Sequence, residues 1–158
     1  MLITQIQLAA MSRVDIPEEQ RRDFFLYVDE FQNFATESFV KVLSEARKYR
    51  LNLTLANQYA AQIPERTQKA ILGNSGTLIS FVLGAEDAAR LKPEFQSQFS
   101  VEDLISLDPF RTVARVAIDN VTCRPFTART LPLVKSTCNS KAKVVRVSNE
   151  RYAVKRTP

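Results

Sequence analysis

The chain has 158 residues, of which 45% are hydrophobic and 25% charged, the composition of one average soluble domain with enough apolar material for a core. It contains no histidine, two cysteines (Cys123 and Cys138) and three glycines (Gly73, Gly76 and Gly84). That excludes Ser-His-Asp and Cys-His catalysis, His-ligated and four-thiolate metal sites, and any GxxxxGK[ST] or GxGxxG phosphate loop within these residues. Two cysteines do not suggest a disulfide-stapled secreted fold; one disulfide is possible by number, with free thiols the default. The net charge of +5 is uneven: residues 135–158 carry +6, and residues 1–134 carry −1. The basic excess therefore belongs to the tail, which reads as a solvated, flexible segment and alternatively as a contact for nucleic acid or an anionic surface.

In chain order, Ile3, Ile6, Leu8, Ala9 and Ala10 fit a short helix with a buried side. It begins so close to Met1, with nothing before it to cap it, that the chain reads as truncated. The opening stretch lacks a basic n-region, so it is not a signal peptide, and no apolar run is long enough for a transmembrane helix. Asp15, Pro17, Glu18 and Glu19 predict a turn into a short helical stretch. The run Phe24 to Val28, closed by Asp29, is apolar without alternation and predicts a strand buried on both faces, as in a parallel sheet. Phe39, Val42, Leu43, Ala46 and Tyr49 mark one face of a helix over 37–49. Leu51 to Ala56 predicts a second buried strand. Pro64 and Glu65 open a helix ending near Gly73-Asn74. Thr77 to Leu83 predicts a third strand, and short helices follow over 86–91 and 101–107.

The pattern then changes to alternation over Thr112–Ile118 and Val121–Leu131 around Asp119-Asn120, a hairpin signal. The β-α order before it predicts an α/β domain with a parallel core, and the folded body ends near Pro132 to Lys135. In the tail, Val144 to Val147 alternates and predicts an extra strand. Most of the ten Phe lie in predicted strands or on helix faces, which favours core packing over base stacking.

The sharpest local signal is Asp29-Glu30 at the end of its strand, the Walker B pattern. A buried strand releases its C-terminal carboxylates at the sheet edge, where ligands bind in α/β folds; many structural strands also end in acid. The segments FFLYVDEFQNF, SEARKYRLNLTLANQY, AILGNSGTLISFVLGAEDA and FSVEDLISLDPF, in that order, resemble the C-terminal half of the motor domain of conjugative type IV coupling proteins. These are the TraD/TraG-like members of the FtsK/HerA group of P-loop ATPases, and the resemblance covers roughly residues 1–132. It implies a partial RecA-like ATPase domain over 1–134, lacking the Walker A strand, followed by the basic tail over 135–158. It implies Asp29 as the Mg²⁺-side acid acting through water, Glu30 as the catalytic carboxylate, Gln58 as the sensor of the γ-phosphate and Arg47 as an arginine finger reaching a neighbouring subunit.

Alternatives accompany these roles. Arg47, with Lys48 and Arg50, also reads as a helix-end cation favoured by the macrodipole, and Asn57 is placed as well as Gln58 to be the sensor. Only 28 residues, none of them glycine, precede Asp29, so the chain alone is expected to be inactive as an ATPase and to bind no ATP or Mg²⁺ tightly. In the intact family motor the resemblance implies a ring of subunits at the cytoplasmic face of the inner membrane, moving single-stranded DNA, with relaxosome proteins, the type IV secretion machinery and a segment or chain supplying the Walker A half as partners. The rival functions are a non-catalytic interaction module binding relaxosome or motor subunits, and a basic-tailed DNA-binding protein.

Overall fold

A computed structural model describes residues 2–96, 98–132 and 140–154. The elements are α1 (Leu2–Met11), β1 (Phe24–Val28), α2 (Glu37–Glu45), β2 (Leu51–Leu55), α3 (Glu65–Asn74), β3 (Leu78–Ser80), α4 (Ala85–Leu91), α5 (Val101–Ile105), β4 (Arg111–Arg115), β5 (Ala117–Ile118), β6 (Val121–Thr122), β7 (Phe126–Arg129) and α6 (Lys141–Tyr152). Short 3-10 turns fill several connections, among them 31–34 and 46–49.

β1 and β2 pair in parallel, with Leu26 opposite Leu53 and Val28 opposite Leu55, as the α/β reading requires. The parallel part stops there: among the described residues this sheet has two strands. β3 does not join it. The third strand is shorter than predicted, covers Leu78–Ser80, and pairs antiparallel with β4, which in turn pairs antiparallel with β7. The hairpin is therefore present, and it continues from the β3 side. Its tip is the small β5–β6 ladder. Asp119 and Asn120 both have positive φ there, which suits the right-handed twist of the strands they join.

The core is built in two places. Val28, Phe31, Phe39 and Ile63 pack with Leu26, Leu43, Leu53, Leu55 and Ile71, placing α2 and α3 on one face of the β1–β2 sheet; Ala10 of α1 joins Val42, Ala46 and Leu51 beside them. Ala88, Phe95, Leu104 and Val113 form the second cluster between α4, α5 and the antiparallel sheet. α5 starts with a capping box: Asp103 N–H donates to Ser100 Oγ, and Ser100 N–H donates to Asp103 Oδ2. Hydrogen bonding to the Asp103 carboxyl by the Ser100 backbone N–H first, and by the Ser100 side chain second, holds it below its ordinary range.

Two further expectations fail. β1 is not buried on both faces: Phe25 is 61% and Tyr27 72% exposed, while Val28 on the other face is buried. Strand side chains alternate, and α2 and α3 cover only the Leu26 and Val28 side. The strand predicted over Val144–Val147 is the middle of α6, because straight-chain basic residues on either side favour a helix where no neighbouring strand offers a ladder. Cys123 is a free thiol; Cys138 lies outside the described residues.

Candidate functional site

The site is the carboxyl end of the β1–β2 sheet. The ladder continues one step past both strands, with Ala56 N–H donating to Val28 O and Phe31 N–H donating to Ala56 O, each at 2.9 Å. This fixes the crossing from Asp29 to Phe31 against the exit of β2. Between those anchors Glu30 takes a left-handed conformation, φ 50° and ψ 46°, which costs a residue with a Cβ about 1–2 kcal/mol. A turn of this kind at the end of a strand is offset by surrounding contacts and is concentrated at functional sites. Here Phe31, fully buried, packs its ring 4.7 Å from that of Phe39 and anchors the residue after the turn in the core.

The conformation turns the Glu30 side chain toward β2. Gln58 Nε2 donates to Glu30 Oε1 at 2.7 Å, and Gln32 Nε2 donates to Glu30 Oε2. The carboxylate is acceptor-only, so it fixes which end of each amide faces it. Glu30 N–H donates to Asp29 Oδ1 at 2.9 Å, leaving that exposed side chain a second oxygen. Asp29, Glu30 and Gln58 are thus brought together at one sheet edge. Gln58, rather than the exposed Asn57, carries the amide that reaches Glu30.

Arg47 is not part of this cluster. It lies in the 3-10 turn at 46–49 that leads directly into β2, at the amino end of a strand whose carboxyl end leads to Gln58. Five strand residues separate the two ends by about 16 Å. Its neighbours have structural partners. Arg50 pairs with Asp23 at 3.8 Å. Arg21 donates to the carbonyls of Lys48, Arg13 and Ile16, and Arg13 donates to those of Tyr49 and Arg22. The Arg47 side chain is exposed.

Sequence reasoning missed two residues here. Gln32 carried no signal beyond its place two positions after Glu30. Asp87 looked like an ordinary acid in a helix's first turn. It is buried, and both its oxygens accept backbone N–H groups, from Ala60 at 3.0 Å and Ala61 at 3.1 Å, tying the loop after Gln58 to α4.

For a cation, Asp29 supplies one carboxylate with an open oxygen, and no group of three or more acidic or thiol ligands gathers among the described residues. That fits Mg²⁺ held through its waters and by phosphates, and not a protein cage.

Residues 23–93 match the family model described as the TraM recognition site of TraD and TraG, which shows the resemblance to TraD- and TraG-type coupling proteins for that segment. No curated protein matches the chain. Among solved structures, the bacterial conjugative coupling protein TrwBdeltaN70 superposes with a TM-score of 0.62 at 13% identity, over 80% of this chain and 36% of that one. The plasmid coupling protein TrwB in complex with the ATP analogue ADPNP gives 0.61 at 14%, over 79% of this chain and 34% of that one. The genome packaging NTPase B204 of Sulfolobus turreted icosahedral virus 2, in complex with AMPPCP, gives 0.56 at 13%, over 80% and 59%. The fold is that of these proteins, and the chain spans about a third of the length of the coupling-protein structures it resembles.

Proposed function

We propose that this chain is the Walker B part of a DNA-translocating coupling ATPase of conjugative type IV secretion. The observation that carries the reading is the joining of Glu30 to Gln58 by a hydrogen bond across the carboxyl ends of two parallel strands. A carboxylate and an amide at such an edge can orient a water and accept its proton. Asp29 would hold Mg²⁺ through water; when bound, that ion neutralises phosphate charge. Glu30 takes the proton of the attacking water, and Gln58 senses the terminal phosphate. Arg47, at the opposite end of the sheet, cannot serve the Glu30 site of its own subunit. It suits a trans role, in which a permanently charged guanidinium reaches the nucleotide of the next subunit in a ring.

The phosphate cradle comes from outside residues 1–158. The outer edge of β2 supports this, since among the described residues β2 pairs only with β1, and β3 pairs with β4 instead. So does the bare face carrying Phe25 and Tyr27, which a further helix would cover. In the assembled motor the chain works at the cytoplasmic face of the inner membrane on single-stranded DNA. No helix of the described residues is long and apolar enough to cross a membrane. The match to a TraM recognition site favours a second, compatible role for residues 23–93 in docking relaxosome proteins or other parts of the secretion machinery.

The test is Mg²⁺-dependent ATP turnover by the chain alone and together with a segment bearing the phosphate loop. The chain alone stays at background. The mixture turns over ATP, and Glu30→Gln lowers that rate about 100-fold or more. Robust turnover by the chain alone, or a mixture indifferent to Glu30→Gln, would falsify the reading.

A further inference from the structure

We propose that Gln32 is a positioning residue for the Glu30 carboxylate, acting as one jaw of a two-amide clamp whose other jaw is Gln58. The inference rests on the reading of Glu30 as the general base. Each carboxylate oxygen takes one amide, Gln58 on Oε1 and Gln32 on Oε2, so the carboxylate plane is fixed from both sides.

The two jaws differ. Gln58 stands on an exposed loop, where a bound phosphate can compete for its amide. Gln32 sits half-buried in the 3-10 turn at 31–34, pinned by the fully buried Phe31 before it. Gln32 Oε1 is buried and has no partner among the described residues. A buried amide oxygen without a donor is costly, and turning the amide over would set that oxygen against the carboxylate. The orientation is therefore held by Glu30 itself.

Both jaws are neutral. A Lys or Arg in either place would hold the carboxylate as well, but would add a positive charge beside it and weaken it as a base. Two amides fix its direction without placing a cation beside it, which suits a base facing a water beside phosphates.

The clamp is tested on the full 158-residue chain by comparing, at one fixed neutral pH, the side-chain amide NMR signals of Gln32 and Gln58, assigned with Gln32→Met and Gln58→Met, between wild type and site variants. Both signals should move in Glu30→Gln, which replaces the acceptor they share, and stay close to their wild-type positions in Asp29→Asn, which alters only the other carboxylate at the site. Glu30→Asp, one methylene shorter, should uncouple at least one jaw, and backbone amide dispersion reports whether each variant is folded. A Gln32 signal that ignores Glu30, or follows Asp29 instead, overturns the clamp.

The catalytic role is read in the mixture that restores turnover. Gln32→Leu should lower kcat about tenfold with KM little changed, and an unchanged kcat overturns the positioning role. If the wild-type mixture shows no turnover, the ATPase reading fails while the amide NMR comparison still decides the clamp.

Discussion

Phe31 does two jobs with one side chain. Its ring fills the core against Phe39, and its N–H closes the last rung to Ala56, so the left-handed turn at Glu30 has an anchored residue directly after it. Phe31→Ala should cost about 3–5 kcal/mol of stability, the usual penalty for emptying an aromatic core site. Phe31→Leu, which keeps most of the volume, should cost less than half of that by chemical denaturation. If both substitutions cost under 1 kcal/mol, the ring is not the anchor of the turn.

At the scale of elements, the informative contact is Asp87 under the loop that follows Gln58. Asp87→Ala leaves the N–H groups of Ala60 and Ala61 without their acceptor, at about 1–3 kcal/mol for each donor left unpaired away from water. Amide hydrogen exchange should then quicken at Ala60 and Ala61 before it does in β1 or β2. Uniform quickening across the chain would mean that Asp87 serves the fold generally and not this loop. Asp29 and Glu30 stood out in the sequence because they close an apolar run at the carboxyl end of a strand; Gln58 entered only through the family resemblance, with Asn57 placed as well, and the parallel core followed from the β-α order of the elements. Asp87 was not legible: a helix's first turn favours acids for local reasons, so nothing in the sequence distinguishes a carboxylate that caps its own helix from one that reaches back 26 residues to Ala61. The bare face of β1 was hidden for a related reason. A run of five apolar residues reads as burial on both faces whether the covering helix is in the chain or elsewhere. Val144–Val147 misled because a four-residue alternation is too short to exclude a helix.

For the whole molecule, two surfaces decide behaviour in solution. Phe25 and Tyr27 on the open face of β1, together with the outer edge of β2, should make the isolated chain self-associate. Replacing both aromatics with lysine should raise the soluble concentration markedly with little loss of secondary structure by circular dichroism; unchanged solubility would mean that this face is not the sticky one. The basic stretch 135–158 is the other surface. Within it, α6 presents Lys141, Lys143, Arg146 and Arg151, with Arg146 only loosely paired to Glu150 at 3.8 Å. Any nucleic-acid affinity should be electrostatic: removing 135–158 should abolish most of it, and raising salt should weaken it steeply. Affinity that survives the deletion would place the contact on the folded body.

The central claim is that one chain contributes to two different catalytic centres, Glu30 and Gln58 at one end of the sheet and Arg47 at the other. It is tested most directly by mixing. Glu30→Gln and Arg47→Ala subunits should each be inactive or nearly so when assembled alone with the phosphate-loop segment. Combined in equal amounts they should recover turnover, because roughly a quarter of the head-to-tail interfaces in a ring then join an intact Glu30 to a neighbour's intact Arg47. A mixture as inactive as its two components would contradict the account.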